Sequence, residues 1–327
     1  MGRVVAAKQR IVFFGSGAFG LPTLEALRSA HEVSLVVSQP DRPAGRGKAV
    51  TPTPIAQFAL SKGLPLLCPT DANAPEVVEE IRRTPADLWV VIAFGQKLSV
   101  GLLADRLAIN LHGSILPAYR GAAPIQRAVM DGNAETGVSV IGLAERMDAG
   151  VVYATRSRPI GASETADDVH DALAQLGVDA VLGVLEEFSR AEHHRAGFGR
   201  TQDEALATRA RKLSKSEATI DCAALDAHAV RARINGLNAW PGCEVGLLPQ
   251  GESEVSEWVR LCRVAECGGS ELSPGLMSAD GRIGCADHAA VQCLEIQRAG
   301  SRRMSFAEFS RGRPVAAGTR LVPRVIV

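Results

Sequence analysis

Along the first half of the chain, apolar residues come in two alternating patterns. Short apolar runs at Arg10 to Phe14, Val33 to Val37, Pro65 to Leu67 and Ala108 to Leu111 read as strands. A fifth, Asp87 to Phe94 (D-L-W-V-V-I-A-F), is continuous enough to be buried on both faces. Between them lie stretches of helical period: Pro22 to Ala30, Ile55 to Lys62 with Ile55, Phe58 and Ala59 inward, Pro75 to Arg83, and Val100 to Asp105. Strand and helix in strict alternation predict an α/β fold with a parallel, Rossmann-like sheet. After a helix at Ile125 to Met130, the alternating runs Gly137 to Leu143 and Val151 to Arg158 read as two more strands. A long helix over Thr165 to Ser189 turns Val169, Leu173, Leu176, Ala180, Val184 and Phe188 inward, and Asp167 and Asp168 suit its positive N-terminal end.

From Arg190 to Arg211 the pattern becomes polar and aperiodic, which predicts a linker over 191–208 between domains at 1–190 and 209–327. Beyond it, one helix is expected at Leu225 to Gly236 and a last one at Phe306 to Arg311. Short strands are expected at Cys243 to Leu248, Trp258 to Ala265, Arg282 to Ala286 and Ala290 to Ile296. Few helices and many short strands fit a second, smaller β-barrel domain.

Composition sharpens this picture only in places. With 327 residues, 46% of them hydrophobic, the chain can build two cores and is too apolar for disorder. Lys and Arg number 36, as do Asp and Glu, so no overall charge argues for a nucleic-acid partner. Locally the balance shifts: from Ile296 onward there are seven Arg against the single Glu308, a hint of a polyanion partner that a solvated face would explain equally well. The seven cysteines include no C-x-x-C pair, so zinc is not expected; they read as reduced thiols of a cytoplasmic protein. No apolar run approaches a membrane span, and the basic opening Met1 to Arg10 is too short for a transit peptide.

Four stretches carry candidate chemistry. Gly15, Gly17 and Gly20 form G-x-G-x-x-G between a strand and a helix, the pattern of a dinucleotide site. Such a site wants an acidic residue where Ser38 ends the second strand, and the bland alternative is a tight turn. Gln39 to Pro54, with four prolines, two glycines and Arg42, Arg46 and Lys48, reads as a structureless basic loop long enough to be functional. Third, Ile109 to Gly121 (I-N-L-H-G-S-I-L-P-A-Y-R-G) ends a strand with Asn110 and His112 two apart, hence on one side, where ligands of open α/β sheets bind. Alone, an Asn-x-His pair is more often a capped strand end. Fourth, Asp148 in M-D-A-G lies between two strands, where an Asp before a Gly is usually a turn residue.

The run N-L-H-G-S-I-L-P-A-Y-R-G-A-A-P-I-Q resembles the signature of folate-dependent formyltransferases. Ser38 to Pro54, Met147 to Gly150 and Lys212 to Asp221 (K-L-S-K-S-E-A-T-I-D) resemble further blocks of that family. Together they run through most of the chain. Within the family the likeness is to members acting on methionyl initiator tRNA; the basic loop and the K-L-S-K block speak against relatives acting on glycinamide ribonucleotide or sugar amines. The resemblance implies an oligonucleotide-binding-like fold for the second domain and 10-formyltetrahydrofolate as formyl donor; formyl transfer requires no metal, the sequence offers no ligand cluster for one, and a monomer is expected. It implies a catalytic set of Asn110, His112 and Asp148. It also implies a folate pocket formed by the backbone of Ala93, Phe94 and Gly95 and by Ser114, Ile115, Leu116 and Pro117, with the Leu116 side chain in its wall. For tRNA it points to Arg42, Arg46, Lys48, Lys212 and Lys215, with Arg209, Arg302 and Arg303 as further basic candidates. An oxidoreductase, suggested by the glycine pattern, and a non-catalytic RNA-binding protein stay open as alternatives.

Overall fold

The computed structural model describes residues 8–44, 49–190 and 198–325. In chain order it begins β1 (Arg10–Gly15), α1 (Leu21–Ala30), β2 (Glu32–Val37), β3 (Arg42–Ala44), β4 (Ala49–Thr51), α2 (Pro54–Lys62), β5 (Leu66–Leu67), α3 (Pro75–Arg83), β6 (Leu88–Ile92), α4 (Val100–Leu103) and β7 (Ala108–His112). Then follow β8 (Arg120–Gly121), α5 (Pro124–Met130), β9 (Glu135–Gly142), β10 (Val152–Pro159), α6 (Ala166–Arg190) and β11 (Arg209–Ala210). The remainder is α7 (Ala227–Gly236), β12 (Cys243–Leu248), β13 (Glu257–Gly269), β14 (Leu276–Met277), β15 (Arg282–Gly284), β16 (Ala289–Arg298), β17 (Arg303–Ser305), α8 (Phe306–Gly312) and β18 (Thr319–Pro323). By internal contacts the chain divides into two compact units: Met1–Arg120 with Gly137–Ser157 and His170–Arg209, and Gly121–Thr136 with Arg158–Val169 and Ala210–Val327.

The first unit is built on a sheet of order β10-β9-β7-β6-β1-β2-β5. β5, β2, β1, β6 and β7 run parallel, and β9 joins β7 antiparallel. The order reverses beside β1: the chain moves out through β2 to β5 and returns to β6 on β1's other side, which opens a crevice at the carboxyl ends of β1 and β6. The continuous apolar run reads true, since all five residues of β6 are buried. Trp89 and Phe94 pack against Phe14 at ring separations of 5.2 and 5.6 Å. Helix α6 covers β7 at close range; a Cβ on Gly177 would lie 2.4 Å from Leu111 Cδ2. The described part of the expected linker lies on this unit, with Arg200 bridged to Val152 and Phe198 stacked on Tyr153.

One expectation is corrected here. The stretch from Gln39 to Pro54 is not structureless, because β3 and β4 pair antiparallel, with Arg42 opposite Thr51 and Pro43 opposite Val50. Its prolines hid the hairpin: in an isolated two-stranded ribbon only one edge of each strand needs its N–H groups, so proline is tolerated. Arg46 and Lys48 lie outside the described residues.

The second unit holds the small barrel. Its strands follow the order β13-β12-β18-β14-β15-β16, and pairing of β16 with β13 closes six of them, with β17 added beside β16. The core joins Val245, Leu261, Val264 and Ile296 of the barrel to Ile234 and Leu237 beside them. Leu213 and Ile220 flank a 3-10 turn in the K-L-S-K-S-E-A-T-I block, both buried in this core.

Candidate active site

Alternation along β7 sets the site. Ile109 and Leu111 face one side and are buried; Asn110, half-buried, and His112, buried, face the other. Asn110 lies opposite Val91 of β6 and Ile141 of β9, so it is held in the middle of the sheet. His112 Nε2 lies 2.9 Å from the Tyr119 carbonyl oxygen. A carbonyl can only accept, so Nε2 carries the proton in the neutral ring, and Nδ1 is the atom left to take another. Asp148 Oδ2 stands 3.7 Å from Nδ1, an ion-pair distance too long for a direct hydrogen bond. Both side chains are largely buried, at 7% and 14% exposed, which strengthens their electrostatic interaction.

The loop after β7 is pinned from below by Ser139, the residue opposite His112. Its hydroxyl donates to the Ser114 carbonyl (2.8 Å) and accepts from the Leu116 amide (3.0 Å), while the Ser114 hydroxyl donates to the Ala118 carbonyl (2.6 Å). The Leu116–Pro117 bond is cis. The Leu116 side chain is buried against Ile141 and Val152, and Ile115 is half-buried.

At the end of β6 the turn of Ala93 to Gly95 exposes Ala93 and Gly95 and buries the Phe94 side chain in the core. Ala93 and Gly95 have φ values of +47° and +84°. The amides of Ser16 and Gly17 donate to the Ala93 carbonyl (3.2 and 3.4 Å). The glycine-rich turn therefore spends these donors on its neighbour rather than on a phosphate, as the tight-turn reading predicts. Ser38 is buried and shares a 2.6 Å hydrogen bond with Thr53. Two residues that sequence reasoning passed over hold this turn: the Ser16 hydroxyl and the Gln39 side-chain amide both donate to the Phe94 carbonyl, at 3.0 and 2.8 Å.

Of the residues expected to meet tRNA, Arg42 is exposed in the first unit, and Lys212 and Lys215 are exposed in the second. Arg302 pairs with Glu308 (3.0 Å), and Arg303 donates to Asn238 (2.7 Å), so both already have protein partners. Among the described residues no group of three or more His, Cys, Asp or Glu could hold a metal ion. No helix among them is long and apolar enough to cross a membrane.

Comparisons with known proteins bear on the same residues. A family profile described as formyl transferase matches residues 9–185, and one described as formyl transferase, C-terminal domain, matches residues 212–314. The methionyl-tRNA formyltransferase of Rhodopseudomonas palustris (strain HaA2) is 40% identical over 316 residues, covering 95% of this chain and 98% of its own. That of Thiobacillus denitrificans (strain ATCC 25259 / T1) is 38% identical over 318 residues, 95% of this chain and 99% of its own. In fold, the chain is similar to HypX from Aquifex aeolicus in complex with tetrahydrofolic acid (TM-score 0.63, 19% identity). That match covers 93% of this chain and 47% of HypX, about half its length.

Proposed function

Since this chain belongs to the formyl transferase family, we propose that it transfers the formyl group of 10-formyltetrahydrofolate to the free amino group of methionyl initiator tRNA, as a monomer in the cytoplasm. The observation that carries this reading is the group formed by Asn110, His112 and Asp148 at the carboxyl end of β7, on the sequence block that bears the family signature. Near-complete coverage of two relatives named for formylating methionyl-tRNA supports the choice of acceptor.

The folate is a substrate here: the exposed turn at Ala93 and Gly95 and the loop of Ser114 to Pro117, pinned by Ser139 just beyond β7, would line its pterin. The amine of the methionyl group attacks the formyl carbon, and negative charge grows on the formyl oxygen. Asn110 donates its side-chain N–H to that oxygen. His112 Nδ1 takes the proton released by the attacking amine, and Asp148 stabilises the imidazolium that results. Collapse breaks the bond from the formyl carbon to N10, whose electron pair takes up the proton held by His112, so the imidazole returns to its neutral form. The products are formyl-methionyl-tRNA and tetrahydrofolate. Exposed Arg42, Lys212 and Lys215, with Arg46 and Lys48, are the proposed contacts to tRNA phosphates.

The test is direct. Incubated with 10-formyltetrahydrofolate and methionyl initiator tRNA, the protein should yield one formyl-methionine per charged tRNA and little with uncharged tRNA. A protein that hydrolyses the folate without forming formyl-methionine would refute the acceptor. Gel filtration with light scattering should give the mass of one chain.

A further inference from the structure

One two-residue segment reaches both members of the histidine–aspartate pair. The Tyr119 carbonyl accepts from His112 Nε2 and fixes the ring. Its neighbour Arg120 is 8% exposed, and its guanidinium is divided between two partners. Nε and Nη2 donate to Gln202 Oε1 (3.0 and 2.8 Å), and Nη1 and Nη2 donate to the Glu204 carboxylate (3.1 and 2.9 Å). Glu204 also pairs with Arg146 at 2.9 Å.

Gln202, 7% exposed, has donors on one side and carbonyls on the other, so only one orientation of its amide satisfies every partner. In that orientation Nε2 donates to the carbonyl oxygens of Asp148 (2.8 Å) and Gly150 (2.7 Å). These bonds grip a turn that needs holding. Asp148 has φ +55°, a left-handed conformation unfavourable for a residue with a Cβ. Gly150 lies so close to β9 that a Cβ there would be 1.7 Å from the Gly142 carbonyl oxygen.

We propose that Arg120 and Gln202 form a clamp that holds the Asp148 turn, so that the carboxylate faces His112 Nδ1, and that both are positioning residues for formyl transfer. Neither side chain contacts His112. Arg120 orients Gln202, Gln202 holds the main chain at residues 148 and 150, and the carboxylate follows. The clamp rests on the proposed reaction for its kinetic effect, but its grip on the pair is measurable without it.

The experiment uses the full chain with Gln202→Met, which removes both roles of the amide, and Gln202→Glu, which keeps an oxygen for Arg120 and removes the donors to the carbonyls. Each should lower kcat about tenfold with KM for folate and tRNA within about twofold, as expected of an interaction that matters in the transition state. In an Asp148→Asn background, Gln202→Met should cost less than about a further twofold, because the group it positions is already disabled. In parallel, the crystal structure of each Gln202 variant is determined. With the clamp gone, the Asp148 carboxylate should move off His112 Nδ1, beyond the parent's 3.7 Å. A full additional tenfold loss in the Asp148→Asn background, or an unmoved carboxylate in both Gln202 variants, overturns the clamp. If the parent forms no formyl-methionine while the carboxylate moves as stated, the proposed reaction falls and the clamp stands.

Discussion

Asp148 and Tyr119 are two of the five non-glycine residues with positive φ among those described, and both adjoin His112. Strain of this kind costs on the order of 1–3 kcal/mol per residue and persists where surroundings hold it in place. His112→Ala should therefore abolish most transfer while leaving folate affinity nearly unchanged, since proton transfer belongs to the transition state; equilibrium folate binding beside steady-state rates would check this. Gly150→Ala should be as damaging as a change at Asp148 although it removes no functional group, because its Cβ meets backbone at 1.7 Å and the turn must move. A kcat near the parent's would show that the turn is dispensable. That Asn110 and His112 share one side of a strand was legible from alternation alone. Their proposed role, like that of Asp148, was legible only through the family blocks, since nothing local distinguishes Asn-x-His from a capped strand end or Asp148 from an ordinary turn residue. Gln202 was not legible at all: it sits in a polar, aperiodic stretch that reads as linker, and its role depends on partners 82 and 54 residues away.

The elements of the parallel sheet emerge from the sequence almost whole, since long apolar runs alternate with amphipathic helices. The barrel does not. β14 and β17, of 2 and 3 residues, are too short for a period to show, and β18 carries Pro323 at its end. The K-L-S-K-S-E block has a role that its lysines conceal. Ser214 and Glu217 form a capping box on the 3-10 turn, and Glu217 is paired with Arg127 of α5. The hydrogen bond from Arg127, with help from the Ser214 amide, holds the Glu217 carboxyl at about 2. A carboxyl depressed on folding stabilises the protein above its unfolded value, about 4.3, and that contribution fades as pH falls toward 2. Glu217→Gln should thus lower Tm at pH 7 and approach the parent's Tm only near pH 2, with a loss of roughly 1 kcal/mol for a partly exposed pair. A Tm difference independent of pH in calorimetry would mean that packing, not charge, explains the effect.

At the scale of the molecule, the second unit draws on residues 121–136 and 158–169 as well as on the barrel. Cutting the chain near residue 190 would therefore strip α5 of its own unit, and charge reversal in the full chain is the cleaner probe of tRNA binding. Lys212→Glu with Lys215→Glu should raise KM for methionyl initiator tRNA several-fold at physiological salt, flatten its salt dependence by one to two units of log–log slope, and spare KM for the folate. An unchanged salt slope would remove these lysines from the interface. A formal net charge of zero gives no hint of such a surface, because paired and exposed basic residues count alike in a sum. The central claim, that formyl transfer to methionyl initiator tRNA happens at Asn110, His112 and Asp148, is met most directly by single-turnover formation of formyl-methionyl-tRNA at saturating folate, comparing the parent with Asn110→Ala. The account predicts formyl-methionine from the parent and a rate about 10²–10³ lower in the variant, with folate affinity within about twofold. No product from the parent, or equal rates from both proteins, would contradict it.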